Sequence, residues 1–195
     1  MGDMLTDEEK KILLDLARRA LRRAAAGQGL EPLDRRGLPS ALREEGASFV
    51  TLTIEGELRG CIGALAPYQP LAEDVREHTV AAAREDPRFP PVSPEEVDRI
   101  EIEVSRLTFP RPLEYDDTQD LLRRLRPHRD GVILQDGQLR ATFLPQVWDK
   151  LPDKAEVLEK LCSKTGVAPD TWRRRRLTVM TYEVEEFSEA RPQPG

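Results

Sequence analysis

Two stretches of this chain carry the same pattern: Glu55-Gly56-Glu57-Leu58-Arg59-Gly60-Cys61 and Asp136-Gly137-Gln138-Leu139-Arg140-Ala141-Thr142. Each sets an acid-glycine pair between runs of β-branched and apolar residues, which is the signal of a tight β-hairpin. The first hairpin is expected to run over Ala47 to Ile54 and return over Glu57 to Leu65; the second over Gly131 to Gln135 and Gln138 to Leu144. A helical segment and then a further strand follow each one: Pro70 to Glu85 and Ile100 to Leu107, then Asp153 to Thr165 and Leu177 to Phe187. This order predicts an α+β fold of mixed or antiparallel sheets with flanking helices. It leaves two readings of the echo, a duplicated ββαβ unit or a chance repeat of Gly-Leu-Arg. Under duplication, Thr142 is the counterpart of Cys61.

The rest of the chain fits around these hairpins. Thr6-Asp7-Glu8-Glu9 reads as a capping box that opens an amphipathic helix to about Ala26, with Ile12, Leu13, Leu16, Ala20 and Leu21 on its apolar stripe. Residues 1–46 are expected to form an N-terminal helix and connector packing on the core, 47–187 the main domain, and 188–195 a flexible tail. Asp86-Pro87-Arg88-Phe89-Pro90-Pro91 is a stiff connector, and Ser93-Pro94-Glu95-Glu96 a helix start with proline in the first turn. In Ile100 to Leu107 the apolar Ile100, Ile102 and Val104 alternate with Glu101, Glu103 and Ser105. Trp148 reads as a core anchor.

Composition narrows the function classes. Charged residues make up 34% of the chain and the net charge is −6, which argues against a generic nucleic-acid binder. No apolar run reaches the roughly 18 residues of a membrane span, and the N-terminus lacks a secretory layout, so a cytoplasmic location with no membrane partner is expected. The two cysteines, Cys61 and Cys162, are then expected to be reduced. Without Cys-x-x-Cys or His-x-x-x-His spacing no dedicated metal site is expected, although Mg²⁺ on carboxylates leaves too faint a sequence trace to judge. No phosphate-binding glycine loop or dinucleotide fingerprint is present, and nothing in the chain names a cofactor.

Arg59-Gly60-Cys61-Ile62-Gly63 is the stretch that draws chemistry. A thiolate is a strong nucleophile, a nearby cation favours it, and glycines admit a close approach. The competing reading is a small buried hydrophobe. With a two-residue turn at Glu55-Gly56, Cys61 is expected opposite Val50 and Arg59 opposite Leu52, on one face and roughly 6–7 Å apart. Both faces of this hairpin carry apolar residues, so cover on both sides is expected. Cys61 and Glu103 are the candidate catalytic pair. Arg59, Gly60, Gly63, Asp86, Arg88, Phe89, Ser105 and Thr142 are the candidate substrate-binding set. His78 is an alternative partner for Cys61, and His128 reads as a solvent-facing loop residue. Arg173 to Arg176 beside Trp172 is the one basic cluster, with phosphate contact and base stacking on Trp172 as its functional reading and a solvated turn as the plain one.

Five ordered motifs resemble one known family. They are Arg59-Gly60-Cys61-Ile62-Gly63, Pro70-Leu71-Ala72-Glu73-Asp74-Val75, Asp86-Pro87-Arg88-Phe89-Pro90-Pro91, Glu101-Ile102-Glu103-Val104-Ser105, and Ala141-Thr142-Phe143-Leu144-Pro145-Gln146-Val147-Trp148. Together they are similar to the AMMECR domain, whose bacterial and archaeal members are called AmmeMemoRadiSam system protein A. The resemblance covers about Ala47 to Phe187. It implies an α+β domain with a larger and a smaller lobe around a cleft that holds the cysteine motif. It also implies a pathway shared with a Memo-like protein and a radical SAM enzyme. The functions this leaves are a Cys-dependent enzyme on a small or nucleotide-like substrate, a non-catalytic substrate-presenting or adaptor module for those partners, and nucleic-acid binding.

Overall fold

A computed structural model describes residues Met4–Glu189. The expected tail therefore lies outside the described residues from residue 190 onward. Two compact units are present: Thr108–Val184 forms one, and the described residues before and after it form the other.

The larger unit begins with α1 (Asp7–Ala25). Its capping box is formed: Thr6 N–H donates to Glu9 Oε2 at 2.8 Å and Glu9 N–H to Thr6 Oγ1 at 3.2 Å. Leu13, Leu16, Ala17, Ala20, Leu21 and Ala24 are buried, so the apolar stripe of α1 is part of the core. A single turn α2 (Ser40–Arg43) leads into β1 (Glu45–Ile54), β2 (Glu57–Gly63) and the two-residue β3 (Gln69–Pro70). Helix α3 (Leu71–Arg84) follows. The expected second helix start is a 3₁₀ helix over Pro94–Arg99, before β4 (Ile100–Leu107).

The smaller unit contains β5 (Arg111–Pro112), α4 (Thr118–Arg124), β6 (Gly131–Asp136), β7 (Leu139–Phe143), α5 (Val147–Lys150), α6 (Lys154–Thr165), α7 (Thr171–Arg174) and β8 (Thr178–Tyr182). Strand β9 (Val184–Ser188) then returns to the larger unit. The strand expected over Leu177 to Phe187 is thus two strands, broken at Glu183 and assigned to different sheets. Thr108 fixes the break, because its N–H donates to the Glu183 carbonyl and its hydroxyl accepts from the Glu183 N–H.

The sheets are topological echoes. One runs β2-β1-β4-β9, with β3 paired to β1, and the other β7-β6-β8-β5. In both, the first strand of the hairpin is central and the strand after the helix pairs antiparallel on its free side. The fourth strand of each sheet comes from the segment just beyond that third strand of the other unit. The repeat is therefore present in the order of elements.

It does not extend to register. In the first hairpin Glu55 and Gly56 both take positive φ, +55° and +85°, as a type I′ turn demands. In the second, Asp136 pairs with Leu139, so the turn residues are Gly137 and Gln138, one later than the sequence suggests. Gly137, at φ +60°, supplies the positive φ that a two-residue turn needs at its first position.

Each unit has its own core. Val50, Leu52, Ile102 and Val104 face α1 and α3 in the larger one. Val132, Leu134, Leu158, Leu161 and Trp148 are buried in the smaller one, where the indole of Trp148 donates to the Asp130 carbonyl at 2.7 Å.

Candidate functional site

Strand β2 does not follow the simple alternation of a two-residue hairpin. Pairing runs Ile54↔Glu57 and Thr53↔Leu58, then shifts, so that Leu52 pairs with Gly60 and Thr51 with Cys61. Arg59 is the extra residue of a β-bulge. This corrects two expectations. Cys61 lies opposite Thr51, not Val50, and Gly60, not Arg59, lies opposite Leu52. One inserted residue turns every later side chain of β2 to the other face.

That face is the polar one. Thr51 pairs with Cys61 on one side and with Glu103 of β4 on the other, so the three residues form a row across the sheet. All three are half-buried, as are Thr53, Glu101 and Ser105. The expected cover on both sides is therefore incomplete: the Val50 face is sealed and the Thr51 face is partly open. The Thr51 hydroxyl donates to Cys61 Sγ at 3.4 Å. Burial, and then the charge of Glu186, push the Glu103 carboxyl above its ordinary value. Two strand spacings separate Cys61 and Glu103, about 10 Å between backbones. Thr51 and Glu186 are the members of this site that sequence reasoning missed. The strict alternation of β4 pointed to its open face, but nothing local placed Thr51 or Glu186 on it.

The glycines are held by packing. A Cβ on Gly60 would lie 2.2 Å from the Ala82 carbonyl oxygen in α3, and one on Gly63 would lie 2.4 Å from both the Phe49 ring and the Ser48 carbonyl oxygen. The Phe49↔Gly63 pair has a partner in the smaller unit, where the Tyr182 ring covers Gly131.

The connector after α3 closes the edge of β2. Asp86 Oδ2 accepts from the Cys61 N–H at 2.9 Å, and Arg88 Nη2 donates to the Cys61 carbonyl at 3.4 Å. Asp86 and Arg88 also pair with each other at 2.6 Å. Two side chains thus stand in for a strand at an otherwise open edge. Arg59 is held in the same way: its Nε donates to Glu96 at 2.7 Å and its Nη1 to the Pro90 carbonyl at 2.9 Å. The Arg59 and Arg88 guanidinium groups lie 5.9 Å and 5.5 Å from the Phe89 ring centroid. The Arg88 hydrogen bond holds the Asp86 carboxyl well below the usual carboxylate range. Arg59, and next the Ser93 N–H, bring Glu96 down to about 2.

These pairings set a pH dependence. A carboxyl with a depressed folded-state pKa contributes stability above its unfolded value and loses it as pH falls through its folded value. For Glu96 the window runs from 4.5 down to about 2. The urea midpoint of the wild type is expected to fall between pH 5 and pH 2, and to fall less in Glu96→Gln. Equal slopes in both proteins would refute this role.

Other candidates lie elsewhere. His78 Nδ1 is 3.1 Å from Asp74 Oδ2, in a buried group that includes Ser48. Thr142 is in the smaller unit, where it pairs with Ile133 and lies 3.2 Å from the Tyr182 hydroxyl. The row there is Thr142–Ile133–Met180, with no thiol or carboxylate. Cys162 is fully buried, and burial raises its thiol pKa. Trp172 is buried too, and the four arginines after it pair with Glu159, Asp170, Asp136 and Glu114, an arrangement that offers little to a base or phosphate. Among the described residues no three His, Cys, Asp or Glu side chains converge as a metal site, and no helix is long and apolar enough to cross a membrane.

Comparison with known proteins agrees with the motifs. The family model described as AMMECR1 matches residues 14–187. A protein of Thermofilum pendens is 39% identical, with 96% of this chain and 93% of that protein covered. Protein MJ0810 of Methanocaldococcus jannaschii is 36% identical over 97% of this chain and 94% of its own length. The crystal structure of uncharacterized protein PH0010 from Pyrococcus horikoshii superposes with a TM-score of 0.74 at 35% identity, covering 98% of this chain and 96% of that one.

Proposed function

The chain belongs to the AMMECR1 family, and from that premise we propose that it is a cysteine-dependent enzyme acting on a small or nucleotide-like substrate. The observation that carries the reading is the row Cys61–Thr51–Glu103 on the partly open face of the sheet. Cys61 is the nucleophile. Glu103, whose carboxyl burial and then the charge of Glu186 push above its ordinary value, is the acid and base. The spacing of about 10 Å leaves room for a substrate to lie over Thr51 between them. As the thiolate, the Cys61 sulfur bonds to an electrophilic carbon, the bond from that carbon to its leaving atom breaks, and the leaving atom takes the Glu103 proton. Water then cleaves the sulfur–carbon bond and returns a proton to Glu103. Ser105 on the same face, Arg88 beside the Cys61 backbone, and Phe89 against the Arg88 guanidinium complete the substrate-binding set.

Cys162 is an internal control for a test. Under limiting iodoacetamide, peptide mapping is expected to show Cys61 carboxamidomethylated at least about tenfold faster than Cys162, because a buried thiol is inert. A Cys61 that labels no faster than Cys162 in the native protein would sink the catalytic reading.

That result would favour a second reading, supported by the Asp86–Arg88 and Arg59–Glu96 pairings. They engage Arg59 of the cysteine motif and Arg88 of the connector inside the fold and make the stretch a rigid scaffold. In that reading the protein is a non-catalytic AmmeMemoRadiSam system protein A, presenting substrate to a Memo-like protein and a radical SAM enzyme.

A further inference from the structure

Two arginines stand beside Cys61, and the fold spends them differently. Arg59 engages all three of its side-chain nitrogens: Nε and Nη2 donate to Glu96, Nη1 donates to the Pro90 carbonyl, and Nη2 also reaches the Pro91 carbonyl at 3.4 Å. Its side chain is only 12% exposed. The cation that the sequence sets next to the thiol is thus committed to the connector and the 3₁₀ helix behind it.

Arg88 is 53% exposed. Its Nε and Nη2 donate to Asp86, and Nη2 reaches the Cys61 carbonyl as well. Of the five N–H groups of a guanidinium, three are spent in this way. The two on Nη1 make no hydrogen bond among the described residues. Asp86 has nothing left for them. Its side chain is 2% exposed, with the Arg88 N–H and Nε on Oδ1 and the Cys61 N–H and Arg88 Nη2 on Oδ2, which fills the acceptor positions of a carboxylate. Asp86, and after it the charge of a Cys61 thiolate, raise the Arg88 pKa, so the guanidinium is within electrostatic reach of the sulfur. The other end of the row has the opposite sign, because the charge of Glu186 acts on Glu103.

We propose that Arg88 is the anion receptor of the cysteine site: the substrate carries a carboxylate or phosphate oxygen that accepts from Arg88 Nη1 while its electrophilic carbon lies at Cys61 Sγ. The inference rests on the cysteine-dependent reading and names the substrate class for it. A guanidinium edge with two unspent donors fits either oxyanion. The acidic end of the row repels the same group, so an anionic substrate lies one way round, with its charge at Arg88 and its leaving atom at Glu103.

Iodoacetate and iodoacetamide test this, since they share a reacting carbon and a leaving atom and only the first carries a carboxylate. At Cys61 of the native full chain, the ratio of the iodoacetate rate to the iodoacetamide rate is expected to be at least about fivefold higher than at Cys61 of the urea-unfolded chain, the worth of one charged hydrogen bond at an exposed group. Inorganic phosphate, at constant ionic strength, is expected to slow iodoacetate saturably and leave iodoacetamide unchanged. Arg88→Gln is expected to abolish the preference while iodoacetamide still labels Cys61 faster than Cys162, which shows that the chain remains folded. Arg99→Gln, at an arginine of the larger unit that is 60% exposed, is expected to keep the preference. A native ratio equal to the unfolded one, with Cys61 still fast towards iodoacetamide, overturns the anion receptor and leaves the catalytic reading standing. So does an iodoacetate rate indifferent to phosphate, or a preference lost equally in Arg99→Gln, which would mark diffuse attraction to basic surface. A Cys61 no faster than Cys162 towards either reagent overturns both.

Discussion

Gly60→Ala is expected to cost about 3 kcal/mol of stability, the upper end of what overpacking usually costs. The new methyl carbon would sit 2.2 Å from the Ala82 carbonyl oxygen and 3.1 Å from its carbon. Those are backbone atoms of α3, so no side chain can rotate away. Relief requires the helix to lift from the sheet or β2 to shift its register, and the second would carry Cys61 off the Thr51–Glu103 row. Against a typical total of 5–15 kcal/mol, a loss of this size is a large fraction of the fold's reserve. Gly37→Ala is the matched control, since nothing lies within 4 Å of a Cβ there. Urea unfolding followed by far-ultraviolet circular dichroism measures both. Tryptophan emission would not serve, because Trp148 and Trp172 both lie in the smaller unit. A midpoint for Gly60→Ala within error of Gly37→Ala would refute the packing role and return Gly60 to the ligand-approach reading.

The same glycine shows where local pattern stops. The capping box of α1, the type I′ turn and the alternation of β4 are set by residues within a few positions of one another, and each was legible. The bulge at Arg59 was not. After Arg59, β2 continues Gly60-Cys61-Ile62-Gly63, small or apolar at every position, so adding one residue leaves no mark on the alternation. Gly60 was the available signal, because a glycine inside a strand often marks a bulge or a close backbone approach. The reason for it, Ala82, is on the next helix. Leu177 to Phe187 failed in another way. Its residues favour extended backbone throughout, but Thr108, far off in sequence, decides that the strand changes sheets at Glu183. The arginine run read as exposed positive charge because its acidic partners are mostly distant along the chain. The polar row was half legible: the alternation of β4 marked Glu103, and only the bulge brings Cys61 level with it.

His78→Ala is expected to destabilise the larger unit by about 2–3 kcal/mol, through a buried carboxyl that loses one of its two donors. Two His–Asp pairs have the same 3.1 Å separation. His128 and Asp149 are 63% and 69% exposed, so water replaces either partner at little cost, and Asp149→Ala is expected to change stability by less than about 0.5 kcal/mol. His78 and Asp74 are 9% and 0% exposed. Asp74 Oδ2 accepts from both the Ser48 hydroxyl, at 2.6 Å, and His78, while Oδ1 has no hydrogen-bond partner among the described residues. A carboxyl group already short of one partner tolerates the loss of another poorly. His78→Ala also leaves a void, so the single mutant cannot separate packing from polarity. A double-mutant cycle with Asp74→Asn does, since the void is common to both of its His78→Ala legs. Neutralising the carboxyl removes much of the reason for the histidine, so the double mutant should be more stable than the sum of the two single losses predicts, by at least about 1 kcal/mol. Strict additivity would mean that His78 only fills space. Coupling would mean that the Ser48–Asp74–His78 group pins α3 to β1, and so holds the Ala82 carbonyl against Gly60 beneath the Cys61 row.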